Sequence, residues 1–573
     1  MDNSEINPKV PDAKGGQQVA TNRMNYVQTA YSVEEADSPE VKKAGDHVRP
    51  ERTAIFVCHG MGQQVPFETI DTVSRVLRKA LKEEGVTQKL PDIKVDMVAL
   101  GNGNHLVPRA ELSFKDSETR KTHDVHVYES YWAPLTEGKV SLRDVMSFLG
   151  NAGGYGLWRS RKAFSRFMFG EMKVNLSTSR RTPLFLLIAL MVAATLVLLN
   201  GVILAVAAAR AFTQAKPSWP SNELLADLTI DFLILFLGLI LLGIVFFFAR
   251  YRQRSLQEDN DKWVPKDFWL KIWVQLSFIV VWLNVLIVLL VGALVLWQLN
   301  WHWMEGAKLS SSAEMWWSRS MPWLMERSPC LKQISEFETS GWSRIFVGAI
   351  WLVVVVASFF AKKFLVQYPG DVAAYVSAHE ASKYSDIRSA ISKAADGIAE
   401  QIYSLKDGNG FFYDQVVVVG HSLGSVVAYD TLNSLLLKDR VVGSTLDIAK
   451  RTPMFLTFGS PLDKVAYIFR NHRAVETDVR EGLAAAVQPM ISDYKFRPAS
   501  WVNLYTWHDW ISGHLDYFDD KSNVNHKSKW IRNIVDPYAC IHVMAHVQYW
   551  TSPIFAGHLL KAVTKNPAKK LLS

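Results

Sequence analysis

The sequence predicts an α/β protein in which a mostly parallel sheet is interrupted by an insertion of four transmembrane helices. Three observations carry this prediction. Short apolar runs that end in glycine-rich turns, Thr53–Gly60 and Gln415–Gly420, have the length and composition of strands buried on both faces. Helical patterns follow them, and strands that alternate with helices build parallel sheets through crossover connections. Between the two groups lie long runs without a single charged side chain.

Residues 1–50 are polar and charged with no apolar core behind a basic start, which predicts a disordered tail and no cleavable signal peptide. Residues 51–150 read as the first part of the α/β domain. After the strand at Thr53, the apolar positions Ile70, Val73, Val76 and Leu77 fall on one face of a helix over Phe67–Leu81. Strand-like runs follow at Lys94–Leu100 and Val125–Trp132. Residues 151–182 form a basic, aromatic juxtamembrane segment, and Tyr155–Phe169 within it suits a helix lying at headgroup level.

Residues 183–365 are the predicted membrane insertion, with spans at about 184–209, 228–249, 272–298 and 344–363. Leu184–Ala209, Phe232–Ala249, Ile272–Met304 and Ile345–Ala361 contain no Asp, Glu, Lys or Arg, and a spanning helix needs roughly 20 apolar residues. Asn200, Gln275 and Asn284 lie within spans, where interhelical hydrogen bonds are expected of them. Residues 366–573 resume the alternation as the second part of the α/β domain. A helical pattern covers Val372–Leu405, and the Gln415 strand runs into a helix over Ser425–Leu437. Further strands are expected at Met454–Phe458 and Trp501–Thr506.

The chain is 49% hydrophobic and 21% charged, with a net charge of +8. Much of the positive surplus flanks apolar segments, in Arg159–Arg181 and at Lys362 and Lys363, so lipid headgroups are the expected partner and nucleic acid is not. Basic residues also sit between the second and third spans, at Arg250, Arg252, Arg254, Lys262 and Lys266. An even number of spans with these flanks places both α/β parts in the cytoplasm. Cys58, Cys330 and Cys540 lie far apart, so neither a disulfide framework nor a metal site is indicated, and no cofactor is predicted.

The motif with the most chemical content is Gly420-His-Ser-Leu-Gly424, between four valines and a helix rich in small residues. A nucleophilic serine must be held clear of the backbone, near a base and near oxyanion donors, and a sharp strand-to-helix turn does this. Ser422 is therefore the candidate nucleophile, with the Leu423 N–H as one oxyanion donor. His59-Gly-Met-Gly62 ends the first strand-like run, and Met61 is the candidate for the other donor. Cys58 and His59 read as packing or loop-ordering residues. The orienting carboxylate is open among Asp509, Asp516 and Asp463. Asp509 is preferred because it lies a few residues past a strand end, in Trp507-His-Asp-Trp510. For the base, His546 is preferred to His542, and His508 and His514 lie too near the acid in sequence.

Gly420–Asp430, Phe458-Gly-Ser-Pro-Leu462 and Trp501-Val-Asn-Leu-Tyr505 resemble the α/β-hydrolase superfamily, in particular its lipase-like branch. His59-Gly-Met-Gly-Gln63 is similar to the oxyanion loop of bacterial lipases, and Ala545-His-Val-Gln-Tyr-Trp550 resembles the segment carrying their catalytic histidine. The Gly420–Asp430 run with Gly459-Ser-Pro-Leu462 also resembles intracellular phospholipases of the DDHD class, although that class's quartet of acidic and histidine residues is not evident. The resemblance covers Arg52–Trp132 and about Tyr368–Leu560 and leaves out the spans. It implies a Ser422, His546, Asp509 triad and a serine esterase acting on acyl esters; a membrane lipid is the expected substrate on separate, physical grounds, because a site tied to the membrane meets amphiphiles at high local concentration. The same residues would also serve an acyltransferase or thioesterase, and an inert membrane scaffold or effector is the alternative from another class. The location implied is a multi-pass protein of a bacterial inner membrane, its hydrolase domain facing the cytoplasm.

Overall fold

The computed structural model describes residues 49–61, 65–100, 105–136, 139, 141–159, 164–176, 181–212, 222–258, 267–306, 348–356, 359–360, 375, 382–408, 410–442, 446–471, 478–520, 524–542, 544–565, 568 and 571–572. Residues 1–48 of the predicted N-terminal tail and Cys330 lie outside these residues. Before the apolar block the chain forms β1 (Glu51–Cys58), α1 (Glu68–Glu83), β2 (Lys94–Leu100), β3 (His105–Lys115), β4 (Thr122–Ser130) and α2 (Leu142–Arg159). A hairpin of β5 (Phe164–Met168) and β6 (Glu171–Leu176) follows, then the long helices α3 (Arg181–Phe212), α4 (Asn222–Glu258) and α5 (Phe268–Gly306). After them come α6 (Ser382–Ser404), β7 (Gln415–His421), α7 (Leu423–Val442), β8 (Phe455–Phe458), α8 (Leu462–Asn471), β9 (Trp501–Tyr505), β10 (Arg532–Val535), α9 (Ala545–Gln548) and α10 (Pro553–Thr564).

Eight strands form one sheet in the order β10-β9-β8-β7-β1-β4-β3-β2. The pairings from β10 through β4 are parallel, and β4–β3 and β3–β2 are antiparallel. The sheet is thus mixed, mostly parallel, and larger at its N-terminal edge than the sequence predicts. Burial explains the central strands. Every residue of β7 is buried, and successive side chains enter opposite cores. Val416 and Val418 pack with Phe56, Ile391 and Val427 on one face. Val417 and Val419 pack with Ile55, Leu77 and Leu559 on the other. This alternation is the period of two expected of a strand covered by helices on both sides.

Two sequence expectations change. The juxtamembrane segment is not one helix at headgroup level: its C-terminal part is the β5–β6 hairpin. Phe169 and Gly170 both have positive φ, 51° and 81°, which is the backbone a tight two-residue turn requires. The Phe169 ring stacks on Tyr494 at 4.1 Å, and its N–H donates to the Ile491 carbonyl, so the hairpin tip is tied to the α/β part.

The second change concerns the spans. Among the described residues three helices, not four, are long and apolar enough to cross a membrane: Leu186–Val206, Leu228–Leu256 and Phe268–Asn300. Of the predicted fourth span, residues 348–356 and 359–360 are described and helical. At about 1.5 Å per residue the continuous stretch is about 14 Å long, too short to qualify, and the rest of that prediction lies outside the described residues. The stretch nevertheless packs in the bundle. Ile350 and Val354 join Leu199, Val202, Phe232 and Val295 in one buried cluster, and Trp351 meets Phe232 edge to face at 5.1 Å. Asn284 donates to Val280 O of its own helix at 2.9 Å, not across an interface as expected.

Candidate active site

Parallel strands aim the loops that leave their C-terminal ends toward one edge of the sheet. At that edge β1 ends in Cys58 and His59, β7 in His421 and Ser422, β8 in Phe458 and Gly459, and β9 in the loop carrying Asp509. Ser422 sits in the turn from β7 into α7 with φ 53°, a left-handed conformation that is strained for a residue with a side chain. The flanking glycines permit it. A Cβ on Gly424 would lie 2.2 Å from the carbonyl oxygens of Cys58 and His59, and one on Gly420 would lie 2.5 Å from Ser425 Cα. A side chain at Gly424 would push the turn away from the end of β1, and one at Gly420 would push the start of α7 away from β7.

The structure brings Ser422, His546 and Asp509 together from three separate segments. Ser422 Oγ lies 2.8 Å from His546 Nε2, and His546 Nδ1 lies 3.0 Å from Asp509 Oδ2. With the carboxylate facing Nδ1, that nitrogen carries the proton, and Nε2 is left to accept from the serine hydroxyl. Asp509 Oδ1 accepts the Ile511 N–H at 2.9 Å, which orients the other oxygen toward the imidazole. Burial alone would raise this carboxyl. The charge and hydrogen bond of His546, the Ile511 N–H and Lys464 outweigh it and hold the group at about 2, so Asp509 is an anion throughout the neutral range.

The alternatives from the sequence lie elsewhere. Asp516 is half exposed and accepts from Asn533 Nδ2. Asp463 is paired with Lys464. His542 and His508 bond each other at 3.2 Å, and His514 lies 3.8 Å from Asp516.

The loop after β1 closes on Ser422. A Cβ built on Gly60 would be 2.9 Å from Ser422 Cβ, so the glycine lets this loop approach the serine. His59 orders it: Nδ1–H donates to the Gly60 carbonyl at 2.7 Å, Nε2 accepts the Trp132 N–H at 3.1 Å, and the ring stacks on the Trp132 indole. Burial lowers the His59 imidazole to about 4 and keeps it neutral for this role. Met61 is buried next along the loop, and Gly62 and Gln63 lie outside the described residues. Leu423 is the first residue of α7, where backbone N–H groups have no partner within the helix. Cys58 is buried, and burial pushes its thiol well above the ordinary range. Among the described residues no three His, Cys, Asp or Glu side chains are grouped so as to hold a metal ion.

His421 is the residue that reading the sequence missed. Its Nε2–H donates to the His546 carbonyl at 2.8 Å, and its ring packs against Phe458, Trp550 and His546. Burial, with the neighbouring His546, lowers it to about 3, so it is a neutral donor that fixes the backbone of His546. The signal was present as the second residue of the Gly-His-Ser-Leu-Gly motif.

The fold and site together define a mixed α/β protein with membrane-length helices and a buried Ser–His–Asp hydrogen-bonded chain at the C-terminal edge of its sheet. Comparison with models of protein families, with curated proteins and with solved structures finds no match.

Proposed function

We propose that this chain is a membrane-anchored serine hydrolase of α/β-hydrolase type that cleaves acyl esters. The observation that carries the reading is the Ser422–His546–Asp509 chain on a strained strand-to-helix turn. Few purely structural roles would hold a serine at positive φ with its hydroxyl on a buried imidazole.

In this reading Ser422 Oγ attacks the acyl carbonyl while His546 Nε2 takes its proton. Asp509 stabilises the resulting imidazolium and keeps the ring in register. The N–H groups of Met61 and Leu423 stabilise the oxyanion. His546 then returns the proton to the leaving alcohol, and the acyl-enzyme is resolved by water activated by the same imidazole. A membrane lipid is the proposed substrate, because membrane-length helices tie the site to amphiphiles at high local concentration. An apolar cavity of about 570 Å³, lined by Val274 and Phe278 of α5 with Trp507, Pro537 and His542, adjoins the acid and base loops. Labelling by a fluorophosphonate probe, mapped by mass spectrometry, tests the reading. The adduct is expected on Ser422 and is lost in Ser422→Ala; no adduct would refute it.

The sheet also bears on topology. β1 and β4 precede the apolar helices and β7 follows them, yet β1 pairs with both. Strands of one sheet lie on one side of a bilayer, so the chain between them crosses an even number of times. Three helices among the described residues qualify by length; residues 348–356, which pack with the other three, mark where we propose the fourth crossing, and the rest of that predicted span lies outside the described residues. The basic flanks put the sheet in the cytoplasm.

A further inference from the structure

The loop that delivers Asp509 is seated on α5, and the one that delivers His546 on both α4 and α5. On the acid side Trp510 packs on Trp282 of α5, with ring centroids 5.7 Å apart. On the base side His542 packs on Phe278 at 4.7 Å, and Cys540 and Ile541 share a buried cluster with Ala249, Leu256 and Leu270. A polar connection crosses this apolar joint. Gln253 of α4 and Gln548 of α9 are 1% and 2% exposed. Gln548 Nε2 donates to Gln253 Oε1 at 2.7 Å, and Gln253 Nε2 donates to the Tyr538 carbonyl at 3.2 Å. Gln548 Oε1 in turn accepts the Ile541 N–H at 3.0 Å. Gln253 therefore grips both ends of the segment that contains His546.

The geometry makes this grip consequential. α9 has four residues, too few to hold a helical shape unaided, so the direction of the His546 side chain depends on what clamps the segment. His421 clamps it at the His546 carbonyl, and Gln253 clamps it through Gln548, two residues further on. Apolar packing tolerates sliding, whereas a buried amide left unpaired is costly, so the paired glutamines select one register.

We propose that Gln253 is a positioning residue for His546, and that the α4–α5 hairpin is a structural part of the active site as well as an anchor. The inference rests on the hydrolase reading. It is tested on the full chain in lipid nanodiscs, by the rate and final extent of fluorophosphonate labelling and by kcat and KM on a p-nitrophenyl ester. Gln253→Met is expected to slow labelling and lower kcat by about 10- to 100-fold, the cost of misplacing a reacting group by about 1 Å. KM should not change, and labelling should still run to completion. Gln253→Glu keeps the acceptor for Gln548 but loses the donor to the Tyr538 carbonyl, and should recover only part of the rate. Arg252→Gln, which breaks an ion pair with Asp267 inside the hairpin, should leave kcat at the wild-type level. The proposal is overturned if Gln253→Met labels at the wild-type rate, or if only the labelled fraction falls while the reactive fraction keeps that rate. If Gln253→Met does not insert, Gln548→Met is read by the same two criteria. Absence of labelling in the wild type would instead refute the hydrolase reading itself.

Discussion

Replacing Asp509 by asparagine tests the account at the link between charge and geometry. The carboxylate side chain is 1% exposed and is held at about 2 against an ordinary 3.8. The anion therefore faces the imidazole across neutral pH, and an asparagine cannot balance the charge of a developing imidazolium, which by itself slows the step. The structure adds a second loss. In Asp509→Asn the side-chain amide oxygen would keep the bond from the Ile511 N–H, and the amide NH₂ would then face His546 Nδ1. The imidazole proton moves to Nε2, which can no longer accept from Ser422. Together these effects predict a fall in kcat of about 10³- to 10⁴-fold, the scale known for such tautomer inversions, with KM little changed. The assay is turnover of a short-chain p-nitrophenyl ester, normalised to protein that remains folded by thermal melt. A variant within a few-fold of wild type would refute the role given to Asp509. The stability contributed by this carboxylate is present above about pH 4 and is lost as pH falls toward about 2.

Other expectations follow from neighbouring features. His421→Phe keeps the aromatic packing but removes the donor to the His546 carbonyl, so kcat should drop by about tenfold or more, the cost of at least one lost buried hydrogen bond; unchanged kcat would show that His421 only fills space. Reporter fusions near Ser38 and Lys569 should read cytoplasmic and one near Ser311 external, and opposite signals from the two ends would contradict the even crossing number. Glu129 is 2% exposed, and burial raises its carboxyl from 4.5 to about 7. The protonated form is compatible with the fold, so this group's contribution is intact below about pH 4.5 and is lost as pH rises through about 7. Glu129→Gln should therefore raise the melting temperature at pH 8 and leave it unchanged at pH 4; an equal shift at both would disprove the assignment.

Much of this was legible in the sequence, for physical reasons that differ by element. The valine run of β7 and the glycines around Ser422 leave little choice, because a strand buried on both faces must be apolar throughout and the turn has no room for a Cβ. His546 and Asp509, chosen from resemblance and from position after a strand, are the imidazole that the structure sets beside Ser422 and the carboxylate that it sets beside that imidazole. β3 escaped because it carries Pro108, Arg109, Glu111 and Lys115 in the antiparallel part of the sheet, where side chains need not be apolar on both faces. The β5–β6 hairpin escaped because a mixture of basic and aromatic residues suits a membrane-surface helix as well as a short ribbon, and only the Phe169–Gly170 turn separates them. The Gln253–Gln548 pairing spans 295 residues, and no local pattern records a contact at that distance. The helical stretch at 348–356 is too short to qualify as a span among the described residues, although it packs with the three helices that do.

The most direct test of the central claim is lipid turnover by the intact chain. Wild type and Ser422→Ala, each reconstituted in vesicles of mixed phospholipids, are compared by mass spectrometry of the lipid products. Released fatty acid and the matching deacylated lipid should accumulate with wild type and be absent with Ser422→Ala at equal insertion. Equal product from the two proteins, or none from a wild type that is inserted and folded, would contradict an acyl-ester hydrolase built on Ser422.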